Sequence, residues 1–244
     1  MPSKTSFSSK IVKLLKSNLD LIYLPILAII TFYAAQFIVG VPMLIILGSD
    51  TLKTPLIATI FSVLVYSLSF IFLLFALKHI KPLKDPVTRN ELGFKDLVTF
   101  SDIGLAIAGL FGYLTFSAIL TALFSVFPWF NLTENQPLLY STLISPLNKV
   151  FAAIALVVVG PILEEVIYRG LIYGKLRKKH SLITSILIVS ILFGFLHGQW
   201  NVGVDVFALS VVACLMRETT GTIYAGIILH ILKNTIAFYF LFMA

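Results

Sequence analysis

"VFAAIALVVVGPILEEVIYRGLIYG" occupies residues 150–174, and its reading decides the fold. The run is long enough to span a hydrocarbon core of about 30 Å, which takes about 20 apolar residues. Yet it carries Glu164, Glu165 and Arg169 near its middle. Charges at membrane depth are costly and mark function when they persist. The stretch is therefore a transmembrane helix with chemistry on it, or a core helix of a soluble protein.

The rest of the chain decides between these. Of 244 residues, 59% are hydrophobic and 12% are charged, where a soluble domain would carry about 25% charged residues. Further uncharged runs predict seven spans, at roughly 21–48, 55–77, 102–127, 148–176, 182–198, 203–216 and 221–243, the sixth being short for a crossing. The fold class is thus an all-α polytopic membrane protein, a bundle of about seven transmembrane helices.

A basic segment at 1–20 precedes N-terminal transmembrane helices over 21–147 and a chemistry-bearing core over 148–244. Residues 21–48 read as a retained span rather than a secretory signal, because the apolar run is long and lacks a small-residue cleavage site. Residues 8–19, "SSKIVKLLKSNL", have a short apolar face that suits the inner membrane surface, and they read equally well as a simple charged flank.

The net charge of +7 does not imply nucleic acid. Alternate loops hold it: Lys4, Lys10, Lys13 and Lys16; then Lys78, Lys81, Lys84, Arg89 and Lys95; then Lys175, Arg177, Lys178 and Lys179; then Arg217. The opposite loops hold Lys53 and Lys149, so the ratio is fourteen to two. The positive-inside rule then predicts a cytoplasmic N-terminus and an external C-terminus. Cys214 is the single cysteine, which excludes an intrachain disulfide and a cysteine-type structural zinc site. Small residues at Gly104, Ala108 and Gly112, and at Gly194 and Gly198, suit close helix contacts in lipid.

The polar residues within the spans are few: Glu164, Glu165, Arg169, His197, His230, Lys233 and Asn234, with Asp205 near an outer end. Glu165 and Arg169 are four apart and share a helix face, as are His230 with Asn234 and Phe193 with His197. Glu164 points about 100° away from Glu165, so the two carboxylates cannot serve one partner equally. Counted at about 1.5 Å per residue from the inner ends, Glu164, His197 and His230 lie roughly 18, 22 and 14 Å deep. Three helices thus bring a carboxylate and two imidazoles to similar depth.

Singly, each residue has a plainer reading: a structural ion pair, a core histidine, a helix–helix hydrogen bond. Lys233 points off the His230 face, reaches elsewhere and is given no role, and Asp205 is expected to be interfacial rather than catalytic. Together, two chemistries suit the set. Glu164, His197 and His230 could ligate Zn²⁺ as a His₂Glu site with a bound water. Alternatively, Glu164 and His197 activate water directly while His230 and Asn234 donate to an oxyanion. A proton-coupled transporter is the third reading, because such residues also build proton relays.

"EEVIYR" (164–169), "FGFLH" (193–197) and "HILKN" (230–234) resemble, in order and on separate helices, the E-E-x-x-x-R, F-x-x-x-H and H-x-x-x-N motifs of a known family. This is the CAAX prenyl protease and bacteriocin-processing family, also called CPBP or Abi. The resemblance covers roughly 148–240 and implies an intramembrane endopeptidase. It implies catalytic roles for Glu164, Glu165, His197, His230 and Asn234, with Arg169 and Phe193 in support.

Glu164 and His197 would activate water, and His230 and Asn234 would hold the oxyanion. The family is often labelled metalloprotease, so zinc, or no cofactor at all, is compatible with it. Its eukaryotic branch cuts the last three residues from prenylated CAAX proteins. The short basic loops resemble bacterial members in a cytoplasmic membrane, which are linked to peptide processing and bacteriocin immunity. The expected substrate is a peptide or membrane protein in the lipid bilayer, with no nucleic-acid partner. The contrasting expectation is a non-catalytic bacteriocin-immunity protein.

Overall fold

The computed structural model describes residues 18–79, 87–134 and 145–243. The described residues form seven long helices: α1 (Asp20–Leu47), α2 (Pro55–His79), α3 (Phe100–Phe124), α4 (Pro146–Arg177), α5 (Leu182–Phe195), α6 (Trp200–Thr220) and α7 (Tyr224–Phe242). The chain is an all-helical, polytopic membrane protein. Most of Lys4–Leu19 and the loop bearing Lys81 and Lys84 lie outside the described residues, and so does most of the expected surface-lying segment 8–19.

Local chemistry explains the boundaries. Ser145 caps α4 by accepting from the Asn148 amide, and Pro146 needs no partner for a missing N–H at the first turn. Thr99 and Asp102 form a reciprocal capping box at the start of α3. Ser181 caps α5. Gly221, at φ +70°, ends α6 in the left-handed conformation that lacks a Cβ penalty.

Five helices, α1, α2, α3, α4 and α7, are long and apolar enough to cross a membrane. Helix α5 has 14 residues, about 21 Å. The expected short sixth span is instead the 21-residue α6. It outruns its apolar centre because its charged end is tied down. Arg177 Nη2 lies 2.8 Å from Glu218 Oε1 and Tyr173 donates to Glu218 Oε2 at 2.8 Å, joining α4 to α6.

Helix α4 is the hub. It packs between α2, α5 and α7, while α6 contacts α3, α5 and α7, and α1 lies against α2. The loop 87–99 is laid against the end of α4, where Gly170 and Gly174 open a face for it. A Cβ on Gly170 would stand 2.8 Å from the Leu92 carbonyl oxygen, and one on Gly174 would stand 3.1 Å from that of Glu91. Arg217 donates to the Glu91 carbonyl at 3.0 Å, and Tyr224 to that of Asp96 at 2.7 Å.

The expected small-residue contacts are met in part. Gly194 meets Gly203 of α6, where a Cβ would come 2.7 Å from a carbonyl oxygen, and Gly198 makes a turn at φ +75°. Gly104, Ala108 and Gly112 are exposed, and a Cβ on either glycine would meet nothing within 4 Å. The α3 residue that packs closely is Gly109, against Met216. The helix is turned by one residue from the expected face, since Asp102, Ala106, Tyr113 and Ser117 point inward.

Candidate active site

The two glutamates sit on one α-helical turn, Gly160–Glu165, between two π-helical stretches of α4, Ile154–Val159 and Val166–Tyr173. π-turns inside α-helices often accompany functional sites. Pro161 gives this one a consequence. The Gly160 amide bonds back five residues to the Ala155 carbonyl. In the same register Pro161 would bond to the Leu156 carbonyl, but proline has no N–H. Asn234 of α7 supplies the missing donor, its Nδ2 lying 2.7 Å from Leu156 O.

Glu165 and Arg169 are fully buried, at 0% exposure each, and Arg169 Nη1 lies 2.9 Å from Glu165 Oε1. The guanidinium also stacks over the Phe193 ring, 4.5 Å from its centroid, a cation–π contact that strengthens when desolvated. Phe193 is edge-on to Tyr168 and His197, each at 4.8 Å, and to His230 at 6.0 Å. The phenylalanine of the second motif therefore stands at the centre of the site.

His230 lies between the two carboxylates. Its Nδ1 is 3.0 Å from Glu165 Oε1 and its Nε2 is 3.6 Å from Glu164 Oε2. A neutral imidazole with Nδ1–H donates to Glu165 alone, whereas the doubly protonated ring donates toward both. Room for Glu165 comes from Gly226, one turn before His230, where a Cβ would stand 3.1 Å from Glu165 Oε2. His197 Nδ1 donates to the Phe193 carbonyl at 2.7 Å. A carbonyl can only accept, so the neutral ring keeps its lone pair on Nε2.

Glu164 is 9% exposed. With Tyr66, Tyr168, His197, His230 and Asn234 it lines a cavity of about 300 Å³ inside the bundle. The cavity continues past Ala155, Ala237, Phe238 and Leu241 along an apolar wall. Three helices thus converge on one chamber, as depth counting anticipates. Glu164 and Glu165 face different partners, also as expected. Glu165 has a second partner in His230 that helical spacing does not reveal.

Other placements add to the sequence reading. Asp205 is paired across the bundle: it accepts from Tyr113 at 2.6 Å and Ser117 at 2.7 Å, and Lys233 Nζ is 3.3 Å away. Lys233, off the His230 face, thus reaches elsewhere as expected, to Asp205, and it also lines the chamber. Tyr66 is a residue that sequence reasoning missed. Its hydroxyl donates to Glu164 Oε1 from α2. A tyrosine in an apolar helix carries no signal that separates it from a core aromatic.

Among the described residues no three His, Cys, Asp or Glu side chains stand together as a metal-holding group. Glu164, His197 and His230 have suitable chemistry, and each imidazole has Nδ1 held elsewhere with Nε2 left to offer, yet the three are not grouped closely enough to hold an ion as they stand.

The family described as Type II CAAX prenyl endopeptidase Rce1-like matches residues 146–236. A curated relative, "Putative membrane peptidase YdiL" of Bacillus subtilis (strain 168), is 33% identical over 78 residues, covering 32% of this chain. The match spans 32%, about a third, of that relative's length. No solved structure matches.

Proposed function

We propose, taking as premise that over residues 146–236 the chain is a member of the Rce1-like family, that it is an intramembrane peptidase. The observation that carries this reading is the chamber that Glu164, His197 and His230 line together inside the helical bundle. The chemistry is hydrolysis of a peptide bond brought in along the apolar wall.

Glu164 and His197 share the attacking water. Its oxygen adds to the scissile carbonyl carbon while its proton passes to the Glu164 carboxylate or to His197 Nε2. The carbonyl π electrons move onto oxygen, and that oxyanion is met by His230 Nε2–H in the doubly protonated ring. Asn234 lines the same chamber and has a second amide hydrogen to offer the oxyanion. Collapse of the tetrahedral species breaks the C–N bond, and the captured proton goes to the leaving amine.

Glu165 and Arg169 act on His230 rather than on substrate. Their pair fixes the imidazole, and together the two carboxylates, the guanidinium and a doubly protonated His230 balance in charge. Balance matters because an uncompensated buried charge is strongly destabilising. The substrate is read as a membrane-associated peptide or membrane-protein segment, in the manner of bacterial peptide processing. Orientation follows the loop charges, with the N-terminus cytoplasmic.

The test is cleavage of membrane peptides by purified protein in proteoliposomes. Glu164→Ala, His197→Ala and His230→Ala are each expected to abolish it while the protein still inserts. Undiminished cleavage by any of the three overturns that residue's role, and by Glu164→Ala the reading itself.

A further inference from the structure

We propose that Tyr66 is a positioning residue of the reaction, so that helix α2, outside the family-matched stretch, completes the active site. This rests on the reading that Glu164 activates water. Helix α4 alone leaves Glu164 poorly held: its neighbour Glu165 takes Arg169, and the Glu164–His230 approach is 3.6 Å, longer than a hydrogen bond. The hydrogen bond that orients the Glu164 carboxylate comes from Tyr66.

The tyrosine is itself held. Its ring packs against Phe32 of α1 with centroids 5.9 Å apart, and it lines the same chamber. One turn-pair earlier on α2, Thr59 donates to the Phe151 carbonyl of α4 at 3.0 Å. Helix α2 is therefore pinned to α4 by polar contacts at two levels. By occupying Oε1, the tyrosine leaves Oε2 to address water and the His230 side of the chamber. A catalytic base that must lie within hydrogen-bond reach of its water gains from one fixed rotamer.

Tyr66→Phe keeps the ring and removes the donor. In proteoliposomes with a cleaved membrane peptide, kcat is expected to fall about 10- to 100-fold. KM should stay within about twofold, because ground-state binding is not touched. The thermal midpoint in detergent should match the wild type, and Tyr33→Phe, on an exposed face of α1, should cleave normally. A second readout does not need turnover: the tyrosine C–O infrared band that disappears in Tyr66→Phe should shift in Glu164→Gln.

Wild-type kcat in Tyr66→Phe beside an inactive Glu164→Ala overturns this proposal and leaves the peptidase reading standing. So does an unshifted infrared band, or a rate loss accompanied by a fallen thermal midpoint. Full cleavage by Glu164→Ala overturns the peptidase reading, and the proposal with it.

Discussion

At the scale of single residues, most of the site's support is owed to side chains that never meet substrate. Gly226 is the clearest case. Alanine there puts a methyl 3.1 Å from Glu165 Oε2, and the fully buried Arg169 gives the carboxylate little room to retreat. Gly226→Ala is expected to displace Glu165, loosen His230 and lower cleavage by about 100-fold, as small misplacements do. Parallel kinetics of Gly226→Ala and His230→Ala would check it, the glycine variant lying between wild type and the histidine variant.

Asn234 offers a second test, because its donor replaces one that Pro161 lacks. Asn234→Leu leaves the Leu156 carbonyl unpaired and should cost about 1 kcal/mol of stability, the scale of hydrogen bonds inside membrane proteins. Adding Pro161→Ala restores a backbone N–H in the right register and should return part of that loss in thermal unfolding. If the double variant is no more stable than Asn234→Leu, the carbonyl-capping role is wrong. Pro161 and Asn234 are each legible in sequence. That one completes the other's helix is not, because the π register that selects Leu156 is a product of packing.

Among the elements, the loop 87–99 depends on a charge clamp at the end of α4. Lys178 pairs with Glu91, and Lys175 lies 4.0 Å from it. The hydrogen bond from Lys178 holds the Glu91 carboxyl below its ordinary value. A depressed carboxyl stabilises the folded state above its unfolded pKa of about 4.3 and loses that contribution as pH falls through the lower folded value. Protection factors for hydrogen exchange across 87–99, with the intrinsic pH dependence of exchange divided out, should therefore be unchanged between neutral and mildly acidic pH and fall only below that range. Glu91→Gln should show the lower protection at neutral pH already. Gly170→Leu, which drives a side chain into the Leu92 backbone, should dislodge the loop at every pH.

Helix positions were largely legible, since each of the seven apolar runs became a helix and the caps Ser145, Thr99 and Ser181 stand in plain sequence. What was not legible is rotation. The Gly104, Ala108 and Gly112 face turned outward because Tyr113 and Ser117 are drawn to Asp205 across the bundle. A partner 88 or 92 residues away leaves no periodic trace in α3. The same holds for Tyr66, whose value lies wholly in a contact with a residue 98 positions later.

For the molecule as a whole, topology and chemistry make separate claims. The loop charges predict that Ser181 and Thr133 lie on opposite sides of the membrane. Cys214 is the single cysteine and is buried, so Cys214→Ser gives a background for Ser181→Cys and Thr133→Cys. An impermeant thiol reagent added to intact cells should label Thr133→Cys and spare Ser181→Cys. The reverse pattern would invert the bundle without altering the chamber.

The central claim is that this chamber adds water across a peptide bond. It is tested most directly by incubating purified protein in proteoliposomes with membrane peptides in water labelled with heavy oxygen, and weighing the products. Wild type should yield fragments whose new carboxyl terminus carries the label, and Glu164→Gln should yield none. Labelled fragments from Glu164→Gln at the wild-type rate, or intact peptide crossing the bilayer with no fragments from either protein, would contradict it.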